Sequence, residues 1–209
     1  GNPYIKTTTA AVYGARLDHE PGYFLSAEQA QNLVPYSEDF SNRNQYVGWQ
    51  INNFNATSTQ VTVNQIADPN GNTTADYLSA TDPVSGFCSI KYRPNVNKGN
   101  AHTASIYVKG KELTSFSFQL YNYNKSTNTR TFIRSTTQSN ISTTEWTRFD
   151  VTAFAGQVTE DYLELSFLLG GSGAQTWSGE QGLYIWGAQL EVGSSVGTYV
   201  KTEGLPYYG

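Results

Sequence analysis

The sequence has little of the side-chain chemistry on which most enzymes depend. Cys88 is its single cysteine, which excludes an intramolecular disulfide and predicts that packing alone stabilises the fold. Two histidines, His19 and His102, leave little material for a Ser-His-Asp triad or a multi-histidine metal site. Acidic residues such as Glu160 and Glu164 are present, but nothing places two of them across a cleft, as glycoside hydrolysis requires. We therefore expect a protein that is not an enzyme.

Charged residues are also scarce. Only 14% of the residues are charged and the net charge is −4 at pH 7, so the chain lacks the basic surplus that neutralises phosphate groups. No apolar run approaches the roughly 18 residues of a membrane-spanning helix. We therefore expect neither nucleic acid nor membrane insertion among the partners of this protein.

Period-two patterning dominates what is present, and helical periodicity is almost absent. Apolar and polar residues alternate in short segments bounded by Gly, Pro, Asn and Asp clusters, which is typical of strands. This spacing predicts an all-β protein, a two-sheet antiparallel β-sandwich. The predicted strands are WQINNFN, TQVTVNQI, TADYLSA, GFCSIKYR, AHTASIYVK, TSFSFQLYNY, TRTFIRST, TRFDVTAF, YLELSFLLG and GLYIWGAQLEV.

The alternation also predicts which side chains face the core. In SFSFQLYNY, Phe116, Phe118 and Leu120 share one face, which we interpret as the core side. Four further inward rows are predicted: Ala104, Ile106 and Val108; Phe149 and Val151; Leu163, Leu165, Phe167 and Leu169; Trp186, Ala188 and Leu190.

The opposite strand faces are polar and rich in tyrosine, which favours a sugar-binding surface. Sugars stack on aromatic rings while nearby amides and hydroxyls bind the ring hydroxyl groups. The candidate ligand-binding residues are Tyr107, Gln119, Tyr121, Tyr123, Asn124 and Trp177. The alternative is that these tyrosine-rich faces cover a second sheet or a neighbouring subunit.

A possible cation site lies in DPNGNTTAD. Asp68, Asn70, Asn72 and Asp76 supply oxygen ligands of the kind that a structural calcium ion takes, in a spacing that loosely resembles a calcium loop. The glycine is misplaced for an EF-hand, and Pro-Asn-Gly is a sufficient turn signal by itself. A calcium site and a plain turn therefore both remain open at this point.

Two motifs resemble a known family. QNLVPYSEDFSN (31–42) with the downstream Trp49, here the N-terminal motif, resembles the start of β-sandwich modules in bacteriophage fibre and spike proteins. IWGAQLEVGSSVGTYVKT (185–202), here the C-terminal motif, resembles the end of the same modules. These modules are similar to carbohydrate-binding modules of the jelly-roll kind. The resemblance implies a jelly roll over residues 31–202 and a virion or extracellular, glycan-facing setting, and it supplies no catalytic residues.

The two ends of the chain carry similar phrases, YIKTTTAAVYG (4–14) and YVKTEGLPYYG (199–209). Since the second phrase begins within the C-terminal motif, we expect residues 1–30 to be a connecting segment that includes the tail of a preceding module in a tandem array. The alternative is that both are linker strands of like composition. Residues 203–209 are predicted to form a C-terminal linker.

Two functions follow from these observations. The first is a non-catalytic carbohydrate-binding module of a phage-type fibre or spike protein, with a glycan or polysaccharide as partner. The second is a purely structural fibre or capsid-decoration domain that binds other virion subunits or itself, for example as a homotrimer, without binding sugar.

Overall fold

The computed structural model describes residues 16–17, 24–25, 31–42, 48–54 and 58–209. Strands β1 (Arg16–Leu17) and β2 (Phe24–Leu25) pair as a short antiparallel ribbon. The rest of the predicted connecting segment 1–30, including the phrase at residues 4–14, lies outside the described residues.

Ten further strands form two five-stranded antiparallel sheets. The back sheet has the order β10-β7-β12-β5-β4, and the front sheet has the order β3-β6-β11-β8-β9. Each strand coincides with one of the segments predicted from alternation, and the part of the chain that the structure describes contains no helix. The all-β antiparallel sandwich is therefore confirmed. The strands are β3 (Gln50–Phe54), β4 (Ser58–Ile66), β5 (Ala75–Thr81), β6 (Phe87–Tyr92), β7 (His102–Gly110), β8 (Phe116–Asn124), β9 (Thr129–Gln138), β10 (Thr147–Ala153), β11 (Leu163–Leu169) and β12 (Glu180–Val192).

The core lies between the two sheets and is built from the predicted inward rows. Phe116 and Phe118 of β8 both contact Phe167 of β11, with ring centroids 4.9 and 6.1 Å apart. Ile106 of β7 closes the layer from the back sheet. Each fully buried phenylalanine contributes on the order of 2–3 kcal/mol. Cys88 is a buried free thiol in this core, so apolar packing provides the stability that a disulfide gives to other proteins.

Trp186 is the exception, and its predicted inward orientation is wrong. The register of β12 against β7 shifts between Trp186 and Gln189, which inserts one extra residue at Gly187. Gly187 has φ +63°, a conformation that glycine adopts without steric cost. Because the bulge reverses the alternation, Trp186 lies on the outer face of the back sheet, where its indole N–H donates to Thr74 Oγ1 at 2.9 Å.

The N-terminal and C-terminal motifs bind each other. Asn32 is fully buried, and its side-chain amide donates to the carbonyls of Ala188 and Val200 at 3.0 and 2.8 Å. Its Oδ1 accepts from the backbone N–H groups of Val34 and Leu190. One side chain therefore joins the first segment of the sandwich to β12 and to the last segment.

Backbone pairing extends this contact, which we call the clasp (residues 32–37 with residues 199–207). Asn32 and Tyr207 exchange two backbone hydrogen bonds of 2.7 and 2.8 Å, and Tyr36 pairs with Glu203. Thr202 donates its backbone N–H to Ser37 Oγ at 2.9 Å. Residues 203–207 are thus hydrogen-bonded to the sandwich, while the predicted module boundary at residue 202 stays a prediction.

Candidate functional site

The outer face of the front sheet, called the front face below, has a buried carboxylate at its centre. Leu163 and Leu165 of β11 point into the core, so the intervening Glu164 lies on the front face, opposite Tyr121 of β8. Its side chain is 0% exposed. A carboxylate at such a position is tolerated only where charged partners replace the lost water.

Two arginines, one from each side of β11, supply that charge. Arg93, directly after β6, places Nε and Nη2 each 2.6 Å from Glu164 Oε2. Arg130 of β9 places Nη1 2.5 Å from Glu164 Oε1. The side chains of Arg93 and Arg130 are 24% and 43% exposed, so each guanidinium is fixed from below and keeps N–H groups at the surface.

The fixed arginines lie against two of the predicted tyrosines. The guanidinium of Arg93 is 3.6 Å from the ring centroid of Tyr123, and that of Arg130 is 4.4 Å from the ring of Tyr121. Cation–π contacts of this kind hold both partners in one orientation. The Tyr121 hydroxyl donates to Gln119 Oε1 at 2.5 Å. Burial raises the pKa of this phenol, which therefore remains a hydrogen-bond donor at neutral pH.

An exposed aromatic ring completes this surface. Phe132 of β9 is 54% exposed and meets Tyr121 edge to face, with centroids 5.5 Å apart. Sequence reasoning missed Phe132. The signal that could have found it is the turn at Lys125–Asn128, because a hairpin centred there pairs Tyr121 with Phe132.

A cleft of about 210 Å³ borders this aromatic surface. It is lined by Tyr92, Arg93, Tyr123, Lys125 and Tyr162 together with Gly48 and Gln50. The Lys125 ammonium lies 5.4 Å from the ring centroid of Tyr162, which meets Tyr123 edge to face. The cleft therefore offers aromatic walls and cationic donors to a ligand that extends from the aromatic surface.

Four predicted site residues lie on β8 in the front sheet, namely Gln119, Tyr121, Tyr123 and Asn124. Gln119 donates from Nε2 to Ser117 Oγ at 3.1 Å. Asn124 is engaged in the following turn, because its Oδ1 accepts the backbone N–H groups of Ser126 and Thr127. The structure therefore brings Gln119, Tyr121 and Tyr123 together beneath one surface and uses Asn124 to shape the hairpin.

Tyr107 and Trp177 lie elsewhere. Tyr107 is on β7 of the back sheet, where its ring packs against those of Trp186 and Tyr199 with centroids 5.3 and 6.3 Å apart. Trp177 packs against the core and donates its indole N–H to the Ala80 carbonyl at 3.0 Å. The six predicted residues therefore do not form one surface, because period-two patterning gives the face of a strand but not its sheet. A ligand-binding role for each of them stays a prediction.

The segment with the predicted calcium ligands forms a hydrogen-bonded turn. Asp68 Oδ1 accepts the backbone N–H groups of Asn70 and Asn72 at 2.7 and 3.1 Å, and Oδ2 accepts the Thr74 hydroxyl. Burial alone would raise the pKa of Asp68, but these hydrogen bonds outweigh it and lower the pKa. Protein donors therefore occupy both carboxylate oxygens.

Asp76, the other predicted acidic ligand, has separate partners. Its carboxylate accepts the backbone N–H groups of Phe40 and Asn64 at 3.1 and 3.0 Å, and burial raises its pKa to about 6. Among the described residues, no group of three or more His, Cys, Asp and Glu side chains could hold a metal ion. The contacts of Asp68 and Asp76 are those of structural turn and core residues.

Comparison with solved structures establishes the fold as a β-sandwich of jelly-roll type. The chain is similar to a CBM4 carbohydrate-binding module (TM-score 0.55, 15% identity, 78% of this chain and 99% of that chain). It is also similar to a CBM61 module in complex with β-1,4-galactotriose (TM-score 0.51, 12% identity, 78% of this chain and 100% of that chain). A third similar structure is the enzymatically active domain of tailspike protein 4 of bacteriophage CBA120 (TM-score 0.52, 10% identity, 77% of this chain and 21% of that chain).

No protein-family model and no curated protein sequence matches the chain. In the described residues no helix is long and apolar enough to cross a membrane.

Proposed function

We propose that this protein is a non-catalytic carbohydrate-binding module of a phage-type fibre or spike protein and that it binds glycan on the front face. The observation that carries the proposal is the Tyr121–Phe132 pair, an aromatic surface packed against Arg130, which forms an ion pair with Glu164. Sugars stack on such rings, and the exposed guanidinium N–H groups of Arg93 and Arg130 are donors for their hydroxyl groups.

Two further observations support this function. The jelly-roll fold is shared with carbohydrate-binding modules, including one in complex with a β-1,4-linked trisaccharide. The phage setting has its support in the likeness of fold to a domain of a phage tailspike and in the N-terminal and C-terminal motifs. Together they support a location on the virion surface, where the front face would meet an external polysaccharide.

The arrangement of acidic residues supports a non-catalytic role. Hydrolysis of a glycosidic bond by the common mechanism needs two carboxyl groups across the scissile bond, one of which donates a proton. The Glu164 side chain is 0% exposed, and guanidinium groups bind both of its carboxylate oxygens. The central carboxylate of the front face therefore positions arginines and has no oxygen free to approach a glycosidic bond.

Glycan-array binding followed by isothermal titration tests the proposal. We expect Phe132→Ala to lower the affinity for the best ligand about tenfold, which corresponds to about 1.4 kcal/mol of lost stacking. The matched control is Phe154→Ala, which removes a ring of similar exposure (44%) directly after β10 of the back sheet and is expected to leave the affinity unchanged.

Absence of binding to every glycan, or equal loss from both variants, contradicts the proposal. A stable oligomer that binds no sugar would instead support the alternative function, a purely structural fibre domain. A measurement of the protein's mass in solution detects such an oligomer.

A further inference from the structure

The front face carries a positive charge on a protein that is negative overall. The net charge of the chain is −4, yet Lys91, Arg93 and Arg130 face a single carboxylate, that of Glu164. Strand registers place only uncharged partners around them on this face: Gln50, Asn52, Ser89, Ser117, Gln119, Tyr121, Tyr123, Phe132, Ser135, Thr137, Ser166 and Leu168. Among the described residues, the centre of the front face therefore has two uncompensated positive charges.

Lys91 carries a positive charge that is not paired with Glu164. Arg93 and Arg130 occupy the two oxygens of Glu164, and Lys91 forms no salt bridge with any described residue. It lies in a row between Gln50 on β3 and Ser166 on β11, one row from Arg93. Burial lowers the pKa of Lys91, Glu164 raises it, and the two arginines lower it further. A half-buried ammonium beside two guanidinium groups is destabilised unless an anion approaches.

We propose that the ligand of the front face is an anionic polysaccharide, with an acidic group bound by Lys91 and an arginine while a sugar ring stacks on Tyr121 and Phe132. This inference rests on the proposed function and adds the chemical class of the glycan. Side chains two residues apart on one face of a strand are about 7 Å apart, so one acidic group reaches both Lys91 and Arg93. The planar guanidinium pairs well with a carboxylate through two N–H groups.

The test compares ligands that differ only in charge. An array of neutral, uronic-acid-bearing and sulfated polysaccharides identifies the best ligand, and chemical reduction of its carboxyl groups to alcohols gives a neutral polymer on the same backbone. We expect the acidic form to bind at least about tenfold more tightly than the reduced form. Its affinity should fall as NaCl rises from 20 to 300 mM, because salt screens the ion pairs.

Two matched variants locate the effect. Lys91→Gln is expected to lower the affinity for the acidic form about tenfold and to leave that for the reduced form within about twofold. Lys109→Gln removes a lysine from β7 of the back sheet and is expected to change neither. Thermal unfolding checks that both variants are folded, and Lys91→Gln should be no less stable than the parent because it removes a desolvated charge.

Each outcome supports or overturns the anionic assignment, and one outcome also overturns the proposed function. Equal affinity for the acidic and reduced polymers overturns the anionic assignment and leaves the binding function standing. Tight binding to sulfated arrays alone identifies sulfate esters as the acidic groups and supports the assignment. Binding of single-stranded DNA as strong as that of any glycan shows a non-specific polyanion surface and overturns the assignment. Absence of binding to any glycan overturns both proposals.

Discussion

At the scale of single residues, burial imposes opposite requirements on two groups. Glu164 is buried with its charge because two arginines compensate it. His102 is buried without a charged partner: Nδ1 contacts the Asn100 carbonyl at 3.1 Å, while Nε2 has no hydrogen-bond partner. Since Nδ1–H is then the donor, Nε2 carries a lone pair in an apolar site. Glu164 therefore fixes two arginines at the front face, whereas His102 makes the stability of the protein depend on pH.

Acidification should destabilise the protein through His102. Burial lowers its pKa below the ordinary value of 6.5, so the unfolded chain binds a proton at a higher pH than the folded chain does. The contribution of His102 is therefore complete above pH 6.5 and is lost as the pH falls below 6.5 toward the folded pKa. We expect His102→Phe to remove this loss, measured as the free energy of unfolding between pH 7.5 and 5.

The difference between parent and variant isolates His102. Asp76, with a pKa raised to about 6, acts in the opposite direction: its contribution falls as the pH rises from 3.8 through 6. Asp76 is present in both proteins and cancels in the difference. If the free energy of unfolding changes with pH in the same way for the parent and for His102→Phe, His102 is not the source of the pH dependence.

At the scale of strands, local alternation was sufficient for most of the fold. Phe118 and Tyr121 were assigned to opposite faces because period two is a property of each strand alone. Trp186 was assigned wrongly because the bulge at Gly187 depends on the pairing of β12 with β7, which lies outside the segment. Arg93 and Arg130 were missed for the same reason, since only the order β6-β11-β8-β9 brings them to Glu164.

The bulge in β12 should tolerate no side chain at Gly187. A Cβ there would lie 3.2 Å from carbon atoms of both Tyr107 and Tyr199, and φ is +63°. We expect Gly187→Ala to lower the free energy of unfolding by about 2–4 kcal/mol, in part from backbone strain of about 1 kcal/mol and in part from displaced rings. Urea denaturation measures the change.

Gly156→Ala is the control for Gly187→Ala. Gly156 has φ +82° with no atom within 4 Å of an added Cβ, so it should show the backbone strain alone, about 1 kcal/mol. Equal losses from the two substitutions would show that the rings of Tyr107 and Tyr199 adjust without cost.

At the scale of the whole molecule, the clasp joins segments that are far apart in sequence. The two motifs could be recognised separately in the sequence. That the motifs are partners could not be predicted, because residues 32 and 200 are adjacent only after both sheets have formed. Gln189 shows the result, since its amide oxygen accepts the backbone N–H of Val200 at 2.8 Å.

Removal of the Asn32 side chain should weaken the whole sandwich. Asn32→Ala leaves two carbonyls and two N–H groups without their partner, and each unsatisfied buried group costs about 1–3 kcal/mol before water enters. We expect the free energy of unfolding to fall by about 3 kcal/mol in one cooperative transition, measured by urea denaturation.

Asn70→Ala, which alters an exposed residue of the turn around Asp68, serves as the comparison and should cost less than about 1 kcal/mol. A small effect of Asn32→Ala, or a separate early transition, would show that the clasp is not part of the cooperative unit.

The clasp also determines how the module responds to tension. Asn32 pairs with Tyr207 and Tyr36 pairs with Glu203 in antiparallel fashion. Residues 31 and 208 therefore leave the clasp at the same end. A force that pulls residues 31 and 208 apart is therefore expected to break these backbone hydrogen bonds one pair after another, while Asn32 transmits part of the load to β12 of the back sheet. Because Asn32 is bonded to β12 of the back sheet and not to a strand of the front sheet, we expect the front face, the proposed glycan surface, to keep its geometry while the clasp opens.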